Sequence, residues 1–93
     1  MIIGVLQAEL YMQGCSSLKE KRMIVKSLKD RIAKKFNVSV AELEYQDKWQ
    51  RAQLAFAIVS NSKGHADQVL QKIFQLLDSE VNSELINHQF EYK

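Results

Sequence analysis

VSVAELEYQ (residues 38–46) and RAQLAFAIVS (residues 51–60), joined by the connector Gln46-Asp47-Lys48-Trp49-Gln50, decide the fold. Both outer pieces are rich in residues that suit a pleated surface, and the short polar piece between them is a hairpin loop. In the second strand Leu54, Phe56 and Ile58 recur at every other position and should face a core. The first alternates imperfectly. Val38 and Val40 share one phase, Ala41, Leu43 and Tyr45 the other, and a bulge near Val40–Ala41 would reconcile them.

Working outward, the segment before this hairpin is helical. Ser17-Leu18-Lys19-Glu20 is a capping box, with the Ser17 hydroxyl accepting from the Glu20 amide and the Glu20 carboxylate reaching back. Leu18, Val25, Leu28, Ile32 and Phe36 then form one apolar stripe, flanked by Lys21 and Lys35, and Asn37 can end the helix in a left-handed conformation. A strand over about Ile2–Met12 precedes the helix, with Ile2, Gly4, Leu6, Ala8, Leu10 and Met12 facing inward. Past the hairpin, Asn61-Ser62-Lys63-Gly64 turns into a helix over about His65–Glu80, striped by Ala66, Val69, Leu70, Ile73, Leu76 and Leu77. Asn82-Ser83 breaks it, and a last strand runs over about Glu84–Tyr92.

The order is therefore strand, helix, strand, strand, helix, strand. Short connections and right-handed crossovers resolve it into a four-stranded antiparallel sheet with both helices on one face. This is the α+β split βαβ, or ferredoxin-like, sandwich, a fold that hosts many unrelated functions. Residues 1–93 make one domain, since a chain of this length holds one core. The single cysteine, Cys15, forms no intrachain disulfide, and no zinc-site spacing occurs, which fits a reducing cytoplasm. Met1–Leu6 is apolar, but Gln7 and Glu9 interrupt it, so it reads as a strand and not as a signal peptide. No stretch is apolar over the roughly 18 residues a membrane span needs.

Charge is unevenly placed. Eight of the 13 Lys and Arg residues lie between Ser17 and Phe36 with two acids, Glu20 and Asp30, so that segment carries +6 while the rest carries −4. Lys19, Arg22, Lys26 and Lys29 fall within about 80° on the helix wheel, in a row roughly 15 Å long that Lys34 extends. Such a row can track a phosphate backbone without reading bases. The plainer reading is a solvated helix face, and the near absence of acidic partners along it weighs against that reading. The single tryptophan, Trp49, lies in the polar connector beside Arg51. It either covers an open edge of the core or offers a stacking surface for a base, and Asp47 can pair with Arg51.

On the outer sheet face only Tyr11 is aromatic, so RNA readout across the strands is not expected. Ile3, Val5, Ala55, Ala57 and Val59 make that face apolar in part, and a second copy or another protein could cover it. Catalysis finds little support, and an enzyme or small-ligand domain built around Cys15, His65 or Trp49 is the weakest of three options. His65 should be solvated, His88 structural and Cys15 a small loop residue, and the first loop, Gln13-Gly14-Cys15-Ser16-Ser17, lacks the phosphate-holding arginine of acylphosphatases. No phosphate loop or dinucleotide fingerprint is present, and no cofactor is expected.

Three stretches taken together resemble the YlxP-like family of small bacterial proteins, a family of unknown function. They are Ser17–Arg22 at the helix start, Phe36–Glu42 entering the second strand, and Gln46–Ala52 before the third strand, which ends in Val59-Ser60-Asn61. The resemblance covers essentially the whole chain and implies a ferredoxin-like fold and no catalytic residues. Genes of that family commonly lie among those for translation initiation and ribosome maturation, which implies a role near the ribosome or its RNA. The expectation is a non-enzymatic cytoplasmic module that binds RNA or a ribosomal particle through Lys19, Arg22, Lys26, Lys29, Lys34, Trp49 and Arg51. The alternative is a homodimer or protein-interaction module that uses the apolar sheet face.

Overall fold

The computed structural model describes residues 1–45 and 47–93. Strands β1 (Ile2–Tyr11), β2 (Ser39–Glu44), β3 (Arg51–Ser60) and β4 (Glu84–Tyr92) and helices α1 (Leu18–Lys35) and α2 (Lys63–Asp78) follow the predicted order. The sheet is antiparallel in the order β2-β3-β1-β4, the ferredoxin-like arrangement. β1 and β3 pair over their full lengths, from Ile2 opposite Ser60 to Tyr11 opposite Arg51.

Leu6, Ala8 and Leu10 of β1 and Ala52, Leu54, Phe56 and Ile58 of β3 are buried under the helices. α1 contributes Val25, Leu28 and Ile32, and α2 contributes Ala66, Leu70, Ile73 and Leu77. Gly4 is fixed by the approach of α2. A Cβ there would lie 3.1 Å from Leu70 Cδ1 and 3.3 Å from both Ile58 Cγ2 and Tyr92 Cε1. The absent side chain lets helix and strand come together.

Local chemistry refines several boundaries. Ser17 caps α1 through its hydroxyl, which accepts from the Glu20 amide at 3.1 Å. The Glu20 carboxylate reaches one residue further back than a reciprocal box requires, to the amide and hydroxyl of Ser16. α2 begins at Lys63 and not at His65, because the Ser62 hydroxyl caps it by accepting from the His65 amide. It ends at Asp78, where the Ser79 amide donates to Gln75. α1 closes through Phe36 in an extended conformation, not through a left-handed Asn37.

The largest departure concerns β2. Its end at Gln46 was expected, but the strand stops at Glu44, and Gln46 lies outside the described residues. Val38, Val40 and Glu42 share the inward phase, Ala41 and Leu43 are exposed, and the register shift lies between Glu42 and Glu44, not at Val40–Ala41. A carboxylate thus points toward the helices, and Lys21 answers it.

Lys21 does not flank the apolar stripe of α1. It lies on it, in the seven-residue gap between Leu18 and Val25, and is 1% exposed. Its ammonium donates to Glu42 Oε2 at 2.8 Å and to the Tyr45 carbonyl at 2.7 Å. A buried ammonium demands such partners, since desolvating it unpaired costs several kcal/mol.

Candidate nucleic-acid interface

The cationic row of α1 takes its orientation from the packing of the helix. On the α2 side, the Arg31 guanidinium donates to Glu80 at 2.7 Å. Lys35 and Phe36 line a groove there with Lys72, Gln75 and Leu76 of α2. The wheel places Arg22, Lys26 and Lys29 on the opposite flank, toward β2, which forms one edge of the sheet. Among the described residues Lys19, Arg22, Lys29 and Lys34 form no ion pair, and Lys29 is half-buried. Lys26 does pair, with Asp30 one turn on at 3.0 Å, a partner that the charge count undervalued. That pair is solvent-exposed, and exposed i,i+4 pairs are worth only about 0.3–0.5 kcal/mol, so a phosphate can displace it. Lys34 lies off the line, around a shallow groove shared with Met23, Lys26 and Asp30. Among the described residues, no carboxylate outside α1 forms an ion pair with this row.

The hairpin residues assemble a second feature at the N-terminal end of the same helix. Tyr11, Tyr45, Asp47, Lys48, Trp49, Gln50 and Arg51 line an open recess of about 630 Å³. Trp49 is 54% exposed, so it does not cover the core. Arg51 pairs with Glu9 at 3.1 Å and not with Asp47, and its guanidinium lies 5.2 Å from the centre of the Tyr45 ring. Tyr45 has φ 64, the one positive value among the described non-glycine residues. That left-handed conformation is costly for an aromatic residue, and it is held by the contacts around it. The Tyr45 carbonyl accepts from Lys21 and from the Lys48 amide at 3.0 Å, while the Arg51 guanidinium makes a cation–π contact with the ring. The β3 side is tied to the first loop. The Met12 amide donates to the Gln50 carbonyl at 2.8 Å, and the Gln50 side chain donates to the Gln13 and Cys15 carbonyls.

Tyr11 and Trp49 are 38 positions apart in the chain, and β1–β3 pairing sets Tyr11 opposite Arg51, two residues from Trp49. Sequence reasoning singled out Trp49 and Arg51 but missed Tyr45 as a ring partner and Lys21 as its anchor. The one available signal was a lysine standing at an apolar position of the α1 stripe.

The remaining titratable residues have local roles. Cys15 is buried, and its thiol donates to the Ser17 carbonyl at 3.2 Å. The His88 ring stands 4.7 Å from Phe74 and 5.8 Å from Phe90, centre to centre, which makes it part of an aromatic cluster between β4 and α2. His65 is exposed at the start of α2. Tyr92 donates to Asp67 at 2.5 Å. Burial first, then that hydrogen bond and the carboxylate's charge, raise its phenol from 10 to about 12. Among the described residues, no cluster of three His, Cys, Asp or Glu side chains is placed to hold a metal ion, and no helix is long and apolar enough to cross a membrane.

On the outer sheet face, register sets Ile3 beside Val59 and Val5 beside Ala57, with Ala55 next along β3. Val59 is 66% exposed, and Gln7, Gln53 and Gln89 bound the patch on its polar side.

This geometry defines a small ferredoxin-like α+β domain with one basic helix flank and an aromatic recess at its end. A solution NMR structure of a de novo designed protein with a ferredoxin fold superposes on the whole chain and on 86% of its own length. The TM-score is 0.55 at 12% identity, a likeness of fold alone. The chain belongs to the family described as "Protein of unknown function (DUF503)", whose model matches residues 3–90. Over 78 residues it is 40% identical to a Bacillus subtilis protein described as "Uncharacterized protein YlxP", covering 84% of this chain and 85% of that one.

Proposed function

We propose that this protein is a non-enzymatic module that binds RNA, alone or within a ribosomal particle, through the outward flank of α1. Lys19, Arg22, Lys26, Lys29 and Lys34 make the phosphate contacts, and Trp49 adds a contact to the nucleic acid at the hairpin end. Arg51 takes part by holding Tyr45, since its charge is already met by Glu9. The observation that carries the reading is the row itself. Three of the row's four cations, and Lys34 beside it, form no ion pair among the described residues, and the fourth, Lys26, is held only by an exposed partner on its own helix. The resemblance to a family encoded near translation genes points the same way.

Binding of this kind releases counterions. With five phosphate contacts to a single strand, log K falls against log salt with a slope of about −3.5, or roughly 100-fold between 50 and 200 mM. Co-sedimentation with ribosomes and titration with RNA at low and high salt measure it. The variant Lys19→Gln, Arg22→Gln, Lys26→Gln, Lys29→Gln should lose binding and keep the wild-type circular dichroism spectrum. Unchanged affinity in that variant would end the proposal.

A second reading rests on the apolar outer face, where Ile3, Val5, Ala55, Ala57 and Val59 are contiguous. Light scattering at high concentration tests it. A dimer dissociated by Val59→Glu supports it, and a monomer removes the homodimer.

A further inference from the structure

We propose that the Tyr11–Tyr45–Trp49 recess receives an unpaired nucleobase, so that the module selects single-stranded over duplex RNA. This deepens the function proposed above and rests on it. The argument begins with what the recess is made of. Three aromatic side chains from two distant parts of the chain converge on one opening, and the most exposed of them, Trp49, presents more than half of its surface. An exposed indole in an opening that two tyrosines also line is a sequence-tolerant platform for a planar base. At about 630 Å³ the open recess has room for a nucleobase.

The recess is also nearly neutral. Glu9 balances Arg51, and Asp47 stands beside Lys48 at the rim. It therefore attracts no polyanion by itself, and its contribution is stacking and not charge. The attraction comes from α1, whose first exposed cations, Lys19 and Arg22, bracket Lys21. Lys21 in turn is bonded to the recess through the Tyr45 carbonyl at 2.7 Å. A strand whose phosphates follow the helix flank thus reaches the recess at the helix N-terminal end. Bases of a duplex are paired and stacked within it and cannot enter.

One wall of the recess is held before any ligand arrives. Tyr45 is kept in a left-handed conformation by a buried ammonium at its carbonyl and a cation–π contact from Arg51 at its ring. This spares the ligand the cost of ordering Tyr45.

The test uses the full chain, with Trp49 as the single tryptophan reporter. The probes are an oligoadenylate of about 12 nucleotides, a duplex and an abasic strand of equal charge, and free adenosine. The single strand should bind more tightly than the duplex or the abasic strand and quench Trp49 emission. Trp49→Ala should weaken single-strand binding by roughly 5- to 150-fold, the range for loss of one stacked base, with the salt slope unchanged. Trp49→Phe should recover most of it. Adenosine, which carries no charge, should quench Trp49 equally in the wild type and in the four-residue glutamine variant.

Equal affinity for all three strands, with no effect of Trp49→Ala while the glutamine variant loses binding, would overturn the recess and leave the helix flank standing. Adenosine quenching without any salt-sensitive strand binding would overturn the helix flank and keep the recess as a base site.

Discussion

Replacing Glu42 by leucine should be among the most damaging single changes in this protein, although Glu42 lies on an edge strand. The ammonium it faces is 1% exposed, the Glu42 side chain is 20% exposed, and the two are 2.8 Å apart. Removing one partner of a buried pair typically costs about 3–5 kcal/mol, because the other charge stays desolvated. Here the Tyr45 carbonyl remains bonded to Lys21 and the Glu42 side is partly open to water, which sets the expectation at the low end, about 3 kcal/mol. A domain of this length has roughly 5–14 kcal/mol in total, so the loss is large, and it lowers Tm by about 12–24 °C. Lys21→Met takes the ammonium from Glu42 as well as the donor from Tyr45, but the Glu42 carboxylate is 20% exposed and can be hydrated, so the loss should be smaller, about 1–2 kcal/mol. The double variant should resemble Lys21→Met alone, a coupling of about 2–3 kcal/mol. Urea denaturation followed by circular dichroism and Trp49 fluorescence reads all four corners of the cycle. A Glu42→Leu loss below about 1 kcal/mol, or additive single losses, would show that Lys21 escapes to solvent and that the pair does not anchor the hairpin.

Three further outcomes follow from local geometry. Ser17→Ala should destabilise the protein by about 1 kcal/mol, as expected for a lost helix N-cap, and a denaturation midpoint equal to wild type would refute the cap's role. Gly4→Ala should cost about 1–3 kcal/mol through overpacking against Leu70, Ile58 and Tyr92, and a neutral result would mean that α2 yields easily. The Tyr92 phenol holds its proton more tightly folded than unfolded, so its contribution is complete below pH 10 and is lost as pH rises toward about 12. Tyr92→Phe should flatten the alkaline limb of the stability curve and remove the late-ionising phase near pH 12 from the spectrophotometric titration, and persistence of that phase would assign it to another tyrosine.

The six elements and the core faces were legible because periods of two and of 3.6 residues report which side of a strand or helix is buried. β1 and β3 came within a residue of their observed limits for that reason, and β4 matched in its limits although a register shift at Ile86 breaks its alternation. β2 resisted because its inward phase is half polar. Val38 and Val40 are followed by Glu42, and a carboxylate among apolar positions reads as a phase change until its partner is known. That partner is 21 positions away on another element, and no local pattern links the two.

The basic flank of α1 was visible from residue type and helical spacing alone, because both are properties of one continuous segment. Only the fold brought Glu80 to Arg31 on the other side of α1, 49 positions away, whereas the Lys26–Asp30 pair lies within the helix itself. The recess depended entirely on strand pairing, since Tyr11, Tyr45 and Trp49 become neighbours only once β1 lies against β3 and Lys21 turns the hairpin onto the helix. Periodic burial is written into the order of residues, whereas a site assembled from separate strands exists only after the chain has closed upon itself.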